Sequence, residues 1–117
     1  MKPPDHCFVT GTPVIGDGTW IGPYTVLDAV GGLNIGCSCS IASGVHIYTH
    51  DMGDWQDDGD IERAPVTIGD HVLIGPQAVI CKGVTIGDNA MVGAFSFVRE
   101  DVPAGAKVWG QPAEVQW

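Results

Sequence analysis

Basic residues are scarce in this chain. Five Lys and Arg stand against 14 Asp and Glu, for a formal net charge of −9. Lys2, Arg63, Lys82, Arg99 and Lys107 are scattered, so no basic patch is available and nucleic-acid binding is excluded. Long hydrophobic runs are also missing. No segment is apolar over the length needed to span a membrane. Met1-Lys2-Pro3-Pro4 leads into polar sequence, not into the apolar core of a signal peptide. Cysteine is sparse, at Cys7, Cys37, Cys39 and Cys81. Cys37-Ser38-Cys39 has the wrong spacing for a zinc knuckle. With no secretory context, the four read as reduced thiols of a cytoplasmic protein. At 117 residues the sequence reads as one domain.

What the chain does have is a repeat. Every sixth residue from Ile68 is aliphatic: Ile68, Ile74, Ile80, Ile86, Val92, Val98. Four places after each comes a second small or aliphatic residue, at Val72, Ala78, Val84, Ala90, Ser96 and Val102. A helix would repeat near 3.6 residues and a half-buried strand near two. A period of six fits a short strand followed by a corner, with side chains alternating in and out along the strand. Asp70-His71, Lys82-Gly83 and Asp88-Asn89 supply residues that tolerate turn conformations. Three such units close one triangular coil, and stacked coils bury the aliphatic columns.

The register extends upstream through Val9, Ile15, Ile21, Leu27, Ile35, Ile41 and Ile47. Val30-Gly31-Gly32 inserts two residues, and Asp51 to Pro65 interrupts the count before it resumes at Ile68. The expectation is about four coils, at 15–32, 33–50, 66–83 and 84–101, with a loop at 51–65 and a cap at 102–117 that leaves the register. Outward residues sort onto three faces. Face a carries Val14, Asn34, Thr67 and Thr85, and reads as solvated. Face b carries Trp20, Ser40, Leu73 and Met91. Face c carries Val26, His46, Val79 and Phe97. Apolar groups this large are expected to be covered, so faces b and c predict a closed oligomer.

Ile-Gly-Asp-His, Gly-Val-Thr-Ile-Gly-Asp-Asn and the closing Gly110-Gln111-Pro112-Ala113 resemble phrases of the hexapeptide-repeat acyltransferase superfamily. The nearest branches are similar to maltose and galactoside acetyltransferases and to polysaccharide O-acetyltransferases. The resemblance implies an all-β fold, a left-handed parallel β-helix with one loop inserted at a corner. It also implies a homotrimer, acetyl-CoA as acyl donor, a small sugar-like acceptor and no metal.

His50, in Tyr48-Thr49-His50-Asp51, stands at the corner where the long loop leaves. Loops of that length in compact proteins are often functional. In the resembling enzymes a histidine at this corner is the general base, and imidazole suits that task because it ordinarily titrates near neutral pH. Asp28 and Tyr48 beside face c, and Asp51 and Trp55 at the start of the acidic loop, are candidate acceptor-binding residues. The resemblance places the pantetheine arm of the donor against Pro76 and Ala94, with Arg99 toward the phosphates.

The resemblance departs at four places. Pro23-Tyr24 stands where sugar acetyltransferases carry an asparagine near the oxyanion, so another donor, such as a backbone N–H, is required. Glu100, Glu114 and Trp117 replace polar or basic positions of the donor site. Two alternatives therefore stay open. One is a non-catalytic trimeric binding or assembly module with a degenerate donor site. The other is a hydratase similar to γ-carbonic anhydrases, using His46, His50 and His71. His46 reads as an interface or surface residue and His71 as a structural corner. Cys81 is not assigned as a nucleophile, because no activating base is identifiable beside it.

Overall fold

The computed structural model describes every residue except Asp54, Trp55, Asp57, Asp58 and Trp117. Trp55 and Trp117, both singled out above, therefore lie outside the described residues. Short strands alternate with corners and stack in parallel into three sheets. The c face consists of β1 (Phe8–Thr10), β4 (Val26–Asp28), β7 (His46–Ile47), β12 (Val79–Ile80) and β15 (Phe97–Val98), in that spatial order. The a face consists of β2 (Val14–Ile15), β5 (Leu33–Ile35), β10 (Val66–Ile68) and β13 (Thr85–Ile86). The b face consists of β3 (Trp20–Ile21), β6 (Ser40–Ile41), β11 (Leu73–Ile74), β14 (Met91–Val92) and β16 (Lys107–Gly110).

The register follows the period of six. Leu27 stacks on Ile47, Ile47 on Ile80, and Ile80 on Val98. These lead residues, with Ile15, Ile21, Ile41, Ile68, Ile74, Ile86 and Val92, form the buried core. The second column, Val45, Val72, Ala78, Val84 and Ala90, fills the space between them. Buried aliphatic side chains are each worth roughly 1.5–3 kcal/mol against exposure. Corners take left-handed backbone: His71, Asn89, Gln77 and Phe95 all have positive φ. His71 is therefore a corner residue, as expected, with Nδ1 2.9 Å from Asn89 Oδ1 one coil away.

The stack is longer than the four coils read from the sequence. The tail does not leave the register at Val102. That residue bridges in parallel to Ile86, and Ala106 and Val108 are buried in the core columns. β16 pairs in parallel with β14, then reverses into β17 (Ala113–Val115), which is antiparallel to it. Together with β1 at the other end, this makes about five turns. Pro103 and Gly105 sit in a corner of that last turn and do not disrupt it, whereas Pro112 lies in the reversal between β16 and β17. The 51–65 insertion also has structure of its own. β8 (His50–Asp51) and β9 (Glu62–Arg63) form an antiparallel stem.

Candidate active site

Both insertions stand at the corner after the c face, one coil apart. Val30-Gly31-Gly32 bulges beneath the root of the long loop. The Gly31 N–H donates to Thr49 Oγ1 at 2.8 Å, and the Val66 N–H donates to Gly32 O at 3.0 Å. A Cβ on Gly31 would lie 2.3 Å from Thr49 O. Only glycine lets the two insertions approach this closely. The bulge thus supports the residue immediately before His50.

Asp28, a candidate acceptor-binding residue, is only 3% exposed, and its carboxylate is taken up by the protein. Oδ2 accepts from the Thr49 N–H at 3.0 Å and stands 2.5 Å from His50 Nδ1. Oδ1 accepts from the Val30 N–H at 3.1 Å. Burial alone raises the pKa of this carboxyl. The N–H groups of Thr49 and Val30, joined by His50, more than reverse that and hold it below the usual carboxylate range. Asp28 is therefore a buried anion that fixes one imidazole nitrogen of His50. The ring itself is partly exposed, on the β8 strand of the stem.

His50 lines a cavity of about 430 Å³ with Tyr48, Asp51 and Met52 on one side and Val79, Cys81, Lys82 and Phe97 on the other. Tyr48 and Asp51, both candidate acceptor-binding residues, line the same cavity as His50. Asp51, however, is engaged: its Oδ1 accepts from the Gly53 N–H at 2.8 Å and its Oδ2 stands 3.2 Å from Lys82 Nζ. Lys82 also reaches Glu62 Oε2 at 3.6 Å. It therefore ties both strands of the stem to the solenoid. Burial, together with the Asp51 carboxylate, pushes the Cys81 thiol up against the opposing pull of Lys82 and Arg99. A thiol so held is a poor nucleophile.

A second cavity, of about 490 Å³, shares Val79 and Phe97 with the first and adds Gln77, Ser96, Arg99 and Pro112. It shares Phe95 and Gln111 with a third, lined also by Gly93, Ala94 and Trp109. The three form a continuous groove from His50 along the c face to the last turn. Arg99 and Ala94 lie in it. Pro76 stacks at the same corner as Ala94 and accepts from the Phe95 N–H at 2.9 Å. Gln111 Nε2 donates to Phe95 O at 2.7 Å and closes the far end. Glu100 and Glu114, which broke the resemblance, face a separate cavity with Val102 and Val115 and take no part in the groove.

Sequence reasoning missed three features of this region. The Asp28 anchor was hidden because the two-residue bulge shifts the spacing between coils. Lys82, read from the sequence as part of a corner, is committed to the stem. Trp109 and Gln111 were masked by the expectation of an irregular tail. The histidines do not converge. His71 sits on a different corner from His50, and among the described residues no three His, Cys, Asp or Glu side chains come together as a metal set.

Residues 65–100 match the bacterial transferase hexapeptide (six repeats) family. Nodulation protein L of Rhizobium meliloti (strain 1021) is 43% identical over 99% of this chain and 65% of its own length. A hexapeptide-repeat-containing acetyltransferase of Vibrio cholerae superposes with a TM-score of 0.80 at 30% identity, over 95% of this chain and 69% of that one. In complex with acetyl coenzyme A, that enzyme gives a TM-score of 0.87 at 33% identity over 100% and 66%. An N-acyltransferase from Bacillus cereus in complex with dTDP-4-amino-4,6-dideoxyglucose and coenzyme A gives 0.86 at 26% identity, over 95% and 66%. The chain thus spans about two thirds of nodulation protein L, at 65% of its length. Repeat, register and superposition agree, and the chain belongs to the hexapeptide-repeat acyltransferase superfamily, with that superfamily's left-handed parallel β-helix.

Proposed function

We propose that the protein is an acetyl-CoA-dependent acetyltransferase acting on a hydroxyl or amino group of a small, sugar-like acceptor. The observation that carries this reading is the His50 ring, fixed through Nδ1 on buried Asp28 at the head of a row of three adjoining cavities that share lining residues. That the Vibrio relative binds acetyl coenzyme A and the Bacillus relative a nucleotide amino sugar supports the same substrate classes here.

The chemistry is a direct transfer. His50 Nε2 takes the acceptor proton as the acceptor oxygen or nitrogen bonds to the thioester carbonyl carbon. The C–S bond then breaks, and the leaving thiolate receives that proton from the imidazolium. The anionic Asp28 stabilises the imidazolium and holds its orientation. No acyl-enzyme is needed, in keeping with a protonated Cys81.

The test is calorimetric titration with acetyl-CoA, followed by thiol release with maltose and glucosamine as acceptors. Failure of acetyl-CoA to bind at millimolar concentration ends the acetyltransferase reading in favour of the assembly module. Arg99→Ala is expected to weaken acetyl-CoA about 10–100-fold, the worth of a hydrogen bond to a charged group. The maximal rate at saturating donor should survive. An unchanged dissociation constant would place the phosphates elsewhere.

Assembly belongs to the same proposal. Trp20, Leu73 and Trp109 are exposed on face b, Phe8 and Phe97 on face c, and Tyr24 and Phe95 at the corner between them. Covering this stripe requires a partner. A homotrimer would place a neighbour along the groove and complete its outer wall. Light scattering should therefore report about three times the 12.3 kDa chain mass. Leu73→Asp and Phe97→Asp should shift the protein toward monomer, whereas Thr85→Asp on face a should not. A stable monomer at micromolar concentration would refute the argument from the faces. The free thiols fit a cytoplasmic setting, which belongs to this proposal too.

A further inference from the structure

Acyl transfer builds negative charge on the thioester oxygen, and a site for it needs a hydrogen-bond donor aimed at that oxygen. The wall of the His50 cavity offers few. Met52, Val79 and Phe97 have no polar side-chain atom, and Asp51 accepts but does not donate. Lys82 Nζ is held 3.2 Å from Asp51 and 3.6 Å from Glu62. The backbone N–H groups of Tyr48, Val79 and Cys81 donate to Ile80, Ser96 and Val98 in the sheet ladder. The Cys81 thiol is a weak donor. His50 carries the transferred proton. Lys82 keeps a third N–H, but its ammonium is anchored on the two stem carboxylates. Besides His50, the strong neutral side-chain donor among the lining residues is the Tyr48 hydroxyl.

Tyr48 is not loose. His46 Nδ1 lies 2.8 Å from its hydroxyl, and the two rings meet edge to face at 5.8 Å. His46 is itself fixed in the c-face ladder between Val26 and Val79. A phenolic oxygen has one proton and two lone pairs. When Nδ1–H of His46 donates to a lone pair, the phenol proton remains for another partner.

We propose that the Tyr48 hydroxyl, oriented by His46, donates a hydrogen bond to the thioester oxygen as it becomes an oxyanion. Tyr48 is then a catalytic residue, and His46 a positioning residue that acts through it. The inference rests on the acetyltransferase reading above and assigns a function to the one histidine that reading leaves unused beside the site. No proton changes hands at Tyr48. The O–H bond stays intact while the carbonyl π electrons move onto oxygen and return as the C–S bond breaks.

The experiment compares Tyr48→Phe, His46→Ala, His46→Asn and the double variant Tyr48→Phe/His46→Ala with the parent protein. Each is measured by calorimetry with acetyl-CoA, by thiol release with maltose and glucosamine, and by thermal melting. Tyr48→Phe should lower kcat about 10²–10³-fold, the usual worth of one oxyanion donor. Its acetyl-CoA dissociation constant and melting temperature should not move. His46→Ala should lower kcat in the same direction, and His46→Asn should restore much of it, because its amide nitrogen can stand in for Nδ1. The double variant should be no slower than Tyr48→Phe alone, since His46 acts only through Tyr48. Full kcat in Tyr48→Phe, a rise in acceptor KM without loss of kcat, or additive losses in the double variant would each overturn the assignment. In those cases the parent still binds donor and releases thiol, so the acetyltransferase reading stands. A parent that does neither overturns both.

Discussion

Replacing His50 by alanine is expected to lower turnover by about 10²–10⁴-fold, the range of general acid–base catalysis. Donor affinity should barely change, because the groove that would hold the donor's phosphates lies around Arg99, away from the ring. Asp28→Asn is the more telling variant. It preserves shape but offers an amide in place of an anion, so the imidazolium loses its counter-charge and the ring can settle in the wrong tautomer. A large part of the His50→Ala loss should therefore reappear. The sign of the pH dependence follows from the lowered Asp28 pKa. The anchor is complete above the ordinary carboxylate pKa of about 3.9 and is lost only as pH falls through the lower, folded value. Asp28→Asn removes it at every pH. Equal turnover in His50→Ala and the parent at saturating substrates would exclude His50 as the base.

The repeat was legible in the sequence because one constraint recurs without interruption. Each lead aliphatic from Ile68 to Val98 occupies the same site in successive coils, so period, inward direction and stacking follow from one pattern. The same logic failed at the C-terminal end. There Val102 and Val108 still stack on Ile86 and Val92, but Pro103 and Gly105 fall where a turn signal and a chain exit look alike. Corner and breaker share the same residue types, and only pairing with the coil beneath distinguishes them. The loop stem was missed for a related reason. Glu62-Arg63 has no apolar alternation, because both strands of the stem are exposed or half-exposed and stand outside the core columns.

The site was legible only as far as it is local. His50 was singled out as a candidate from its motif and its corner. Its anchor was not, because Asp28 lies in a different coil and across a bulge, and an outward position beside Leu27 gives no hint that the carboxylate turns inward to Thr49 and His50. The acidic residues at the donor positions looked disabling for the opposite reason. Sequence alignment of positions cannot show that the chain reverses at Gly110 into β17, which carries Glu114 away from the groove and beside Glu100. The acidic charge of the chain is thus compatible with an anionic donor where the groove itself presents Arg99 and neutral donors.

Ile74→Ala is expected to cost about 2–5 kcal/mol of stability, as large-to-small changes in packed cores do. Ile74 is fully buried and stacks between Ile41 below and Val92 above. Neither neighbour can move into the space without breaking its own parallel pairing, so the cavity should persist and the loss should fall in the upper part of that range. Ile21 makes a useful comparison. It is equally buried but has a paired coil on one side only, at Ile41. Its surroundings can relax further, and Ile21→Ala should cost less. Thr67→Ala, in the same coil as Ile74 but on its outward side, should stay within about 0.5 kcal/mol. Denaturant midpoints at one fixed protein concentration give the comparison, since self-association would otherwise shift the apparent stability. A loss for Thr67→Ala as large as that for Ile74→Ala would mean that the six-residue columns do not carry the stability of the solenoid. With a typical net stability of about 5–15 kcal/mol, one such hole removes a large share of what holds the coil corners beneath His50 in place.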